Sequence, residues 1–131
     1  MAEHPNVERV RSGYNSFTSG DLEGVMNFFH KDIVFHVPGN NPVAGDYKGQ
    51  DEVMGFFGRL MQETGGSFKL EVHDILANDD HGVGLVRQSG ERNGKSLSMN
   101  VMQVFHIDAD GKATEFWGFP EDGAAVDAFW A

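Results

Sequence analysis

The spacing of apolar residues along this chain changes at the Gly65-Gly66 pair. Before the pair, apolar side chains recur every three or four residues in three stretches, which is the spacing of amphipathic helices. After it, residues such as Phe68, Leu70 and Val72 alternate with polar ones, and this alternation is typical of strands with one buried face. Helices gathered first and strands second indicate an α+β domain, in which the helices cover one face of an antiparallel sheet.

The first half of the chain is predicted to hold three helices and one clear strand. The helices cover residues 5–19, 21 to about 30, and about 51–64, and the strand covers residues 33–37. Gly20 and Gly65 follow helical stretches, and glycine readily takes the left-handed conformation that ends a helix. The segment between the strand and the third helix is rich in turn formers, so it predicts a loop with at most a short strand.

The second half is predicted to be a meander of strands that ends in a short helix. The strands begin at residue 68, cover 83–89, run along 97–107 and cover 112–119, and the helix covers 124–130. Asn93-Gly94 is the strongest hairpin signal, because both residue types accept the positive φ that a tight turn requires. Gln103 stands alone on a strand face that otherwise carries apolar residues such as Val101 and Phe105.

The composition limits the classes of partner. The whole chain, residues 1–131, is long enough for one domain with its own core. The absence of cysteine excludes thiol chemistry, and a formal charge of −10 opposes binding to nucleic acid and to anionic membranes. No stretch has the length of a signal peptide or a membrane span, so we expect a cytoplasmic protein. The spacing of histidines and glycines predicts no metal and no nucleotide cofactor.

Several segments resemble the SnoaL-like branch of the nuclear-transport-factor-2-like (NTF2-like) superfamily, which is related to the ketosteroid isomerases. They are GDLEGVMNFFHKDIVFH, HVPGNNPVAGDYKG, VFHIDADGKATEFWGFP and EFWGFPED. The resemblance implies a cone- or barrel-like α+β fold with a strongly bent sheet that encloses an apolar pocket. It also implies a homodimer formed through the sheet. Isomerases, polyketide cyclases, dehydratases and epoxide hydrolases share this fold, so the fold does not select a reaction.

The resemblance to the steroid isomerases of that superfamily implies three candidate pocket residues. When the loop that begins at Gly39 is aligned with theirs, His36 takes the place of their proton-transferring aspartate. Tyr14 corresponds to their oxyanion-stabilising tyrosine, and Gln103 replaces an aspartate on the long strand. Two of the three positions differ in residue type, so the resemblance does not support steroid isomerisation itself.

Each of these residues also has a purely structural interpretation. His36 could act as a general base because histidine titrates near pH 6.5, but counting from Asp32 turns Val37 inward and His36 outward. Tyr14 contacts either a ligand or a neighbouring side chain. Gln103 costs about 1–3 kcal/mol if unpaired on an apolar face, so it must bind a ligand or a partner such as Tyr14 or His36.

Large apolar residues are the remaining candidates for a ligand pocket, although core packing alone would also explain them. They are Phe57, Leu60, Met61, Val101, Phe105, Trp117 and Phe119. Met102 and Val104 should face outward and form part of a homodimer interface.

Three functions stay open at this point. One is a cofactor-free acid–base enzyme, an isomerase, dehydratase or cyclase, acting on an apolar small molecule that bears oxygen. In that enzyme His36 would be the base, and Tyr14 and Gln103 would donate hydrogen bonds. The others are a non-catalytic ligand-binding protein and a dimeric interaction module with a filled core.

Overall fold

The computed structural model describes residues 3–131 and contains four helices and six strands in that range. The helices are α1 Pro5–Ser19, α2 Leu22–Phe28, α3 Gly49–Glu63 and α4 Gly123–Trp130. The strands are β1 Phe29–Val37, β2 Gly45–Lys48, β3 Lys69–Ala77, β4 His81–Arg92, β5 Lys95–Ile107 and β6 Ala113–Pro120. None of these helices is long and apolar enough to cross a membrane.

The six strands form one mixed sheet in the order β2-β1-β6-β5-β4-β3. Every neighbouring pair is antiparallel except β1 and β6, which run parallel with Phe35 beside Phe116. The α+β class is therefore confirmed. The sheet is open, since β2 and β3 are edges that do not pair with each other, and a closed barrel is not formed.

The helices lie on one face of the sheet, where the apolar side chains of both layers meet. Helix α1 packs against β3 and β4, and α3 packs against β1 and β2. Glycines on β4 allow α1 to lie this close: a β-carbon at Gly82 would overlap Val10, and one at Gly84 would overlap the ring of Tyr14. Larger residues at these two positions would push α1 away from the sheet.

The predicted elements are present, and their ends differ by a few residues. Helix α2 stops at Phe28, because Phe29 is already extended and caps the helix with its backbone N–H on the carbonyl of Val25. His30 therefore belongs to β1. The Asn93-Gly94 hairpin is confirmed, with φ of 50° and 77° at its two loop residues.

The face of the sheet away from the helices carries exposed apolar side chains. Met102 on β5 lies opposite Phe119 on β6, and their exposed fractions are 42% and 51%. Two residues further along the same strands, and on the same face, Val104 lies opposite Trp117. Met102 and Val104 thus occupy the outer face, as the alternation of β5 predicts.

Candidate functional site

A cavity of about 130 Å³ lies between the inner face of the sheet and the four helices. Phenylalanines from α2, α3, β1, β5 and β6 form much of its wall. Four of the residues predicted to line a pocket do so, namely Phe57, Leu60, Val101 and Phe105. The volume is close to the ~150 Å³ of an apolar cavity that admits benzene, so the cavity is large enough for a small molecule.

The wall of this cavity carries no Asp, Glu, His, Lys or Arg within the part of the chain that the structure describes. Its polar side chains are Tyr14, Asn41, Gln88 and Gln103. Few polar groups in a mostly apolar wall are typical of sites for small organic molecules.

Tyr14 and Gln103 contact each other. Tyr14 is one of the two side chains that the sequence suggested as a partner for Gln103. The Tyr14 hydroxyl donates a hydrogen bond to Gln103 Oε1 over 2.6 Å, and its ring meets Phe105 edge to face. Burial raises the pKa of Tyr14 far above the ordinary value for a phenol. Tyr14 is therefore a neutral hydrogen-bond donor at physiological pH.

The hydrogen bond from Tyr14 orients the amide of Gln103. Because Oε1 accepts the Tyr14 proton, Nε2 points elsewhere, and no hydrogen bond within residues 3–131 uses it. Every fully buried side-chain nitrogen or oxygen in that range has a partner, so Nε2 retains accessible surface. Gln103 is one of the residues that line the cavity, and its amide nitrogen is a hydrogen-bond donor without a partner within the described residues.

His36 lies on the outer face of the sheet, so its predicted position in the pocket is wrong. Side chains alternate along β1, and this alternation turns Phe35 and Val37 toward the cavity instead. The His36 ring accordingly stacks on Trp117, with ring centroids 5.2 Å apart. The alignment through the following loop gave the wrong register, whereas counting from Asp32 gives the observed one.

The surroundings of His36 favour its charged form. Nε2 lies 2.8 Å from Glu115 Oε2, and Nδ1 lies 2.9 Å from Asp46 Oδ1. Hydrogen bonds to Glu115 and then to Asp46 raise the pKa of His36 above its ordinary value. An apolar pocket would have had the opposite effect on the pKa of His36, because burial disfavours the charged imidazolium.

Three predicted wall residues also lie outside the cavity. Trp117 and Phe119 alternate with Phe116 and Gly118 along β6, and the second pair faces inward. Met61 follows Leu60 on α3, about 100° further round the helix, and 39% of it is exposed. These residues failed as predictions because apolar side chains occupy both faces of β6 and more than one side of α3.

Two features of the site were not predicted. Gln88 lines the cavity from β4, two residues beyond the buried Val86, so tracing the alternation along β4 would have found it. Asp127 on α4 accepts hydrogen bonds from the backbone N–H of Asn40 and from Asn41 Nδ2, both over 2.8 Å. No sequence signal connects positions so far apart in the chain.

Helix α4 supplies one wall of the cavity through Val126 and Trp130. Its carboxyl end is held by cations: Arg92 Nη1 donates to the carbonyls of Phe129 and Ala131, and Lys95 Nζ donates to that of Ala128. Cations at this end of a helix interact favourably with the helix dipole. The carboxyl end of α4 is thus attached to the β4–β5 hairpin.

Comparisons with known proteins show the family and the fold. A family model described as a SnoaL-like domain matches residues 10–116. An uncharacterized protein of Mycobacterium tuberculosis is 30% identical over 132 residues, covering 100% of both chains. Bal32a, from a soil-derived mobile gene cassette, is 36% identical with a TM-score of 0.92, over 96% of each chain. An NTF2-like protein of unknown function from Burkholderia pseudomallei, 22% identical, shares the fold with a TM-score of 0.84, over 96% of this chain and 97% of that one.

Proposed function

This chain belongs to the SnoaL-like domain family, and from that membership we propose that its cavity binds a small, uncharged, mainly apolar molecule carrying a carbonyl-type oxygen. The hydrogen bond between Tyr14 and Gln103 carries the proposal, because it uses the amide oxygen and leaves the nitrogen of a cavity-lining residue as a free donor. A carbonyl oxygen accepts such a bond without a charge of its own.

The apolar wall opposes charged ligands. A carboxylate or phosphate that entered would lose its hydration, and the wall offers no lysine or arginine to replace the lost water. The same argument applies to ammonium groups, since the wall offers no carboxylate. Selection for neutral molecules follows from the composition of the wall.

Three single-ring compounds of similar size test this proposal. Acetophenone presents a carbonyl oxygen, ethylbenzene lacks an acceptor, and benzoate carries a charge. We expect titration calorimetry at pH 7 to show that acetophenone binds most tightly and benzoate least. Gln103→Leu should weaken acetophenone about two- to tenfold, the value of one hydrogen bond, and leave ethylbenzene unchanged. Gln62→Leu, on the exposed side of α3, is the matched control. Benzoate binding as tightly as acetophenone would contradict the proposal.

Binding without turnover is the function that this geometry supports better than acid–base catalysis. The predicted base, His36, lies outside the cavity, and Tyr14 and Gln103 are neutral hydrogen-bonding groups without the basicity of an imidazole or a carboxylate. Their catalytic role remains a prediction with a direct test: deuterium exchange at the acetophenone methyl group in heavy water, followed by NMR. We expect the rate with protein to equal the buffer rate, whereas an acceleration that Tyr14→Phe removes would establish catalysis.

We further propose that the chain forms a homodimer through the outer face of the sheet. Met102 and Phe119 lie opposite each other there and are half-exposed, and apolar patches of this kind are typical of interfaces. Closed two-fold assembly is the commonest way to bury one patch against its own copy. The cytoplasmic location predicted from the sequence remains a prediction.

A further inference from the structure

Gln88 is the second residue of the cavity wall, after Gln103, whose side-chain amide has a hydrogen-bonding group without a partner in the range that the structure describes. It is half-buried on the inner face of β4, and no hydrogen bond within residues 3–131 involves its side chain. Asn41, by contrast, is bound to Asp127 and to the backbone N–H of Val43. Every fully buried side-chain nitrogen or oxygen in that range has a partner, so the Gln88 amide retains accessible surface and can form a hydrogen bond with a molecule in the cavity.

The two amides stand well apart along the same pair of strands. Gln88 pairs with Met99 across β4 and β5, and Gln103 pairs with Gly84. These pairs are four residues apart on each strand, which corresponds to about 13 Å at the usual rise per residue. Val101, on the same face of β5 between them, also lines the cavity. The wall is thus polar at two places with an apolar section between them.

We propose that Gln88 is a second specificity-determining residue, and that the ligand is a slender, uncharged molecule with a hydrogen-bonding oxygen near each end. The proposal rests on the proposed function, since it concerns the same cavity. Gln103 Nε2 would donate to one oxygen. The Gln88 amide would bond the other, and because an amide can both donate and accept, that oxygen can be a carbonyl or a hydroxyl.

The size of the cavity determines the shape of such a ligand. Both amides line a cavity of only about 130 Å³, so a ligand that contacts both of them must be small and slender. A narrow space admits an unbranched chain or a single ring more readily than fused rings, because close-packed walls do not yield without cost. An aliphatic diketone therefore represents the predicted class.

Two probes isolate the second contact: 2-hexanone has one carbonyl oxygen, and 2,5-hexanedione has a second one near the other end of the same chain. Trp130 lines the cavity, so quenching of its fluorescence reports binding in a Trp117→Phe background. We expect the diketone to bind about two- to tenfold more tightly than the monoketone, the value of one additional hydrogen bond. Gln88→Leu should abolish that preference without weakening the binding of 2-hexanone.

The outcomes separate this inference from the proposed function. Equal affinities for the two ketones, in the original chain and in Gln88→Leu, would mean that Gln88 is a solvated amide only and would overturn the inference alone. Failure of both ketones to bind would overturn the proposed function as well. The comparison of the two ketones on the original chain needs no Gln88 variant, so it holds even if Gln88→Leu fails to fold. Gln62→Leu again serves as control.

Discussion

The hydroxyl of Tyr14 occupies the space in which a β-carbon on Gly84 would lie. The hydrogen bond from Tyr14 to Gln103 forms beside this glycine, because Gly84 and Gln103 are neighbours across β4 and β5. The site thus depends on a missing side chain as much as on the two that are present.

Gly84→Ala should destabilise the protein and disturb the site together. The added methyl group overlaps the Tyr14 ring and hydroxyl, and overpacking of this kind costs about 1–3 kcal/mol. Urea unfolding measures the change in free energy. Gly58→Ala on α3, where a β-carbon meets nothing, is the control and should stabilise by about 0.5–1 kcal/mol. Equal effects of the two substitutions would contradict the close packing of α1 on β4.

Gln103→Leu should lower stability because it leaves the Tyr14 hydroxyl buried without an acceptor. We expect a loss of about 1–3 kcal/mol in the free energy of unfolding. The double variant Tyr14→Phe/Gln103→Leu removes both polar groups and should recover most of that loss. A double-mutant cycle by urea denaturation tests the coupling, and additive single effects would show that the hydrogen bond contributes nothing.

The stability contributed by His36 should depend on pH. Its pKa is raised in the folded protein by Glu115 and Asp46, so the folded state holds the proton more tightly than the unfolded state. The contribution is therefore fully present below the unfolded value of about 6.5, and it is lost as the pH rises through the folded pKa. The difference in unfolding free energy between the original chain and His36→Gln should be larger at pH 6 than at pH 9.

His73→Gln is the control, because it replaces an exposed histidine of β3 and shows how much the loss of any histidine changes the unfolding free energy. An NMR titration of the His36 ring measures the pKa directly. A midpoint below 6.5 would contradict the ion pairs seen in the structure.

Phe119→Asp should dissociate the proposed homodimer. A carboxylate in the middle of the outer face would be buried against its own copy, and a buried unpaired charge is strongly unfavourable. Light scattering should give twice the chain mass of 14.4 kDa for the original protein and the single mass for the variant. Met61→Asp is the control, because Met61 is exposed on α3 and lies away from the outer face of the sheet; this variant should leave the dimer intact. A single chain mass for the original protein at micromolar concentration would reject the dimer.

Asp127→Ala should speed ligand exchange. The substitution removes both hydrogen bonds between α4 and the loop after β1, while Arg92 and Lys95 still hold the carboxyl end of the helix. Local opening of this wall should become more frequent, so association and dissociation of acetophenone both accelerate and the dissociation constant changes little. NMR lineshapes measure the rates. Unchanged rates would show that the ligand does not pass α4.

Sequence patterns predicted most of the fold because its helices and its hairpin depend on local signals. Gly20 ends α1 and Asn93-Gly94 closes the hairpin through their own backbone preferences. The cavity was predicted in part. Tyr14 and Gln103 belong to long stretches in which apolar residues recur at the spacing of a helix or a strand, and this spacing identifies their inner face. His36 was misplaced because β1 carries apolar residues on both faces, so the period of two alone does not identify the inner one.

The parallel pairing of β1 with β6 has a consequence for how the chain is made. Phe35 lies beside Phe116, so β1 is synthesised long before its central partner exists. Until β6 emerges, β1 can pair only with the short β2, and its other edge is free to join another chain. Contacts between residues so distant in sequence also close late in folding, because the intervening loop costs entropy. During biosynthesis, the strand most exposed to misassembly is therefore the one that begins at Phe29.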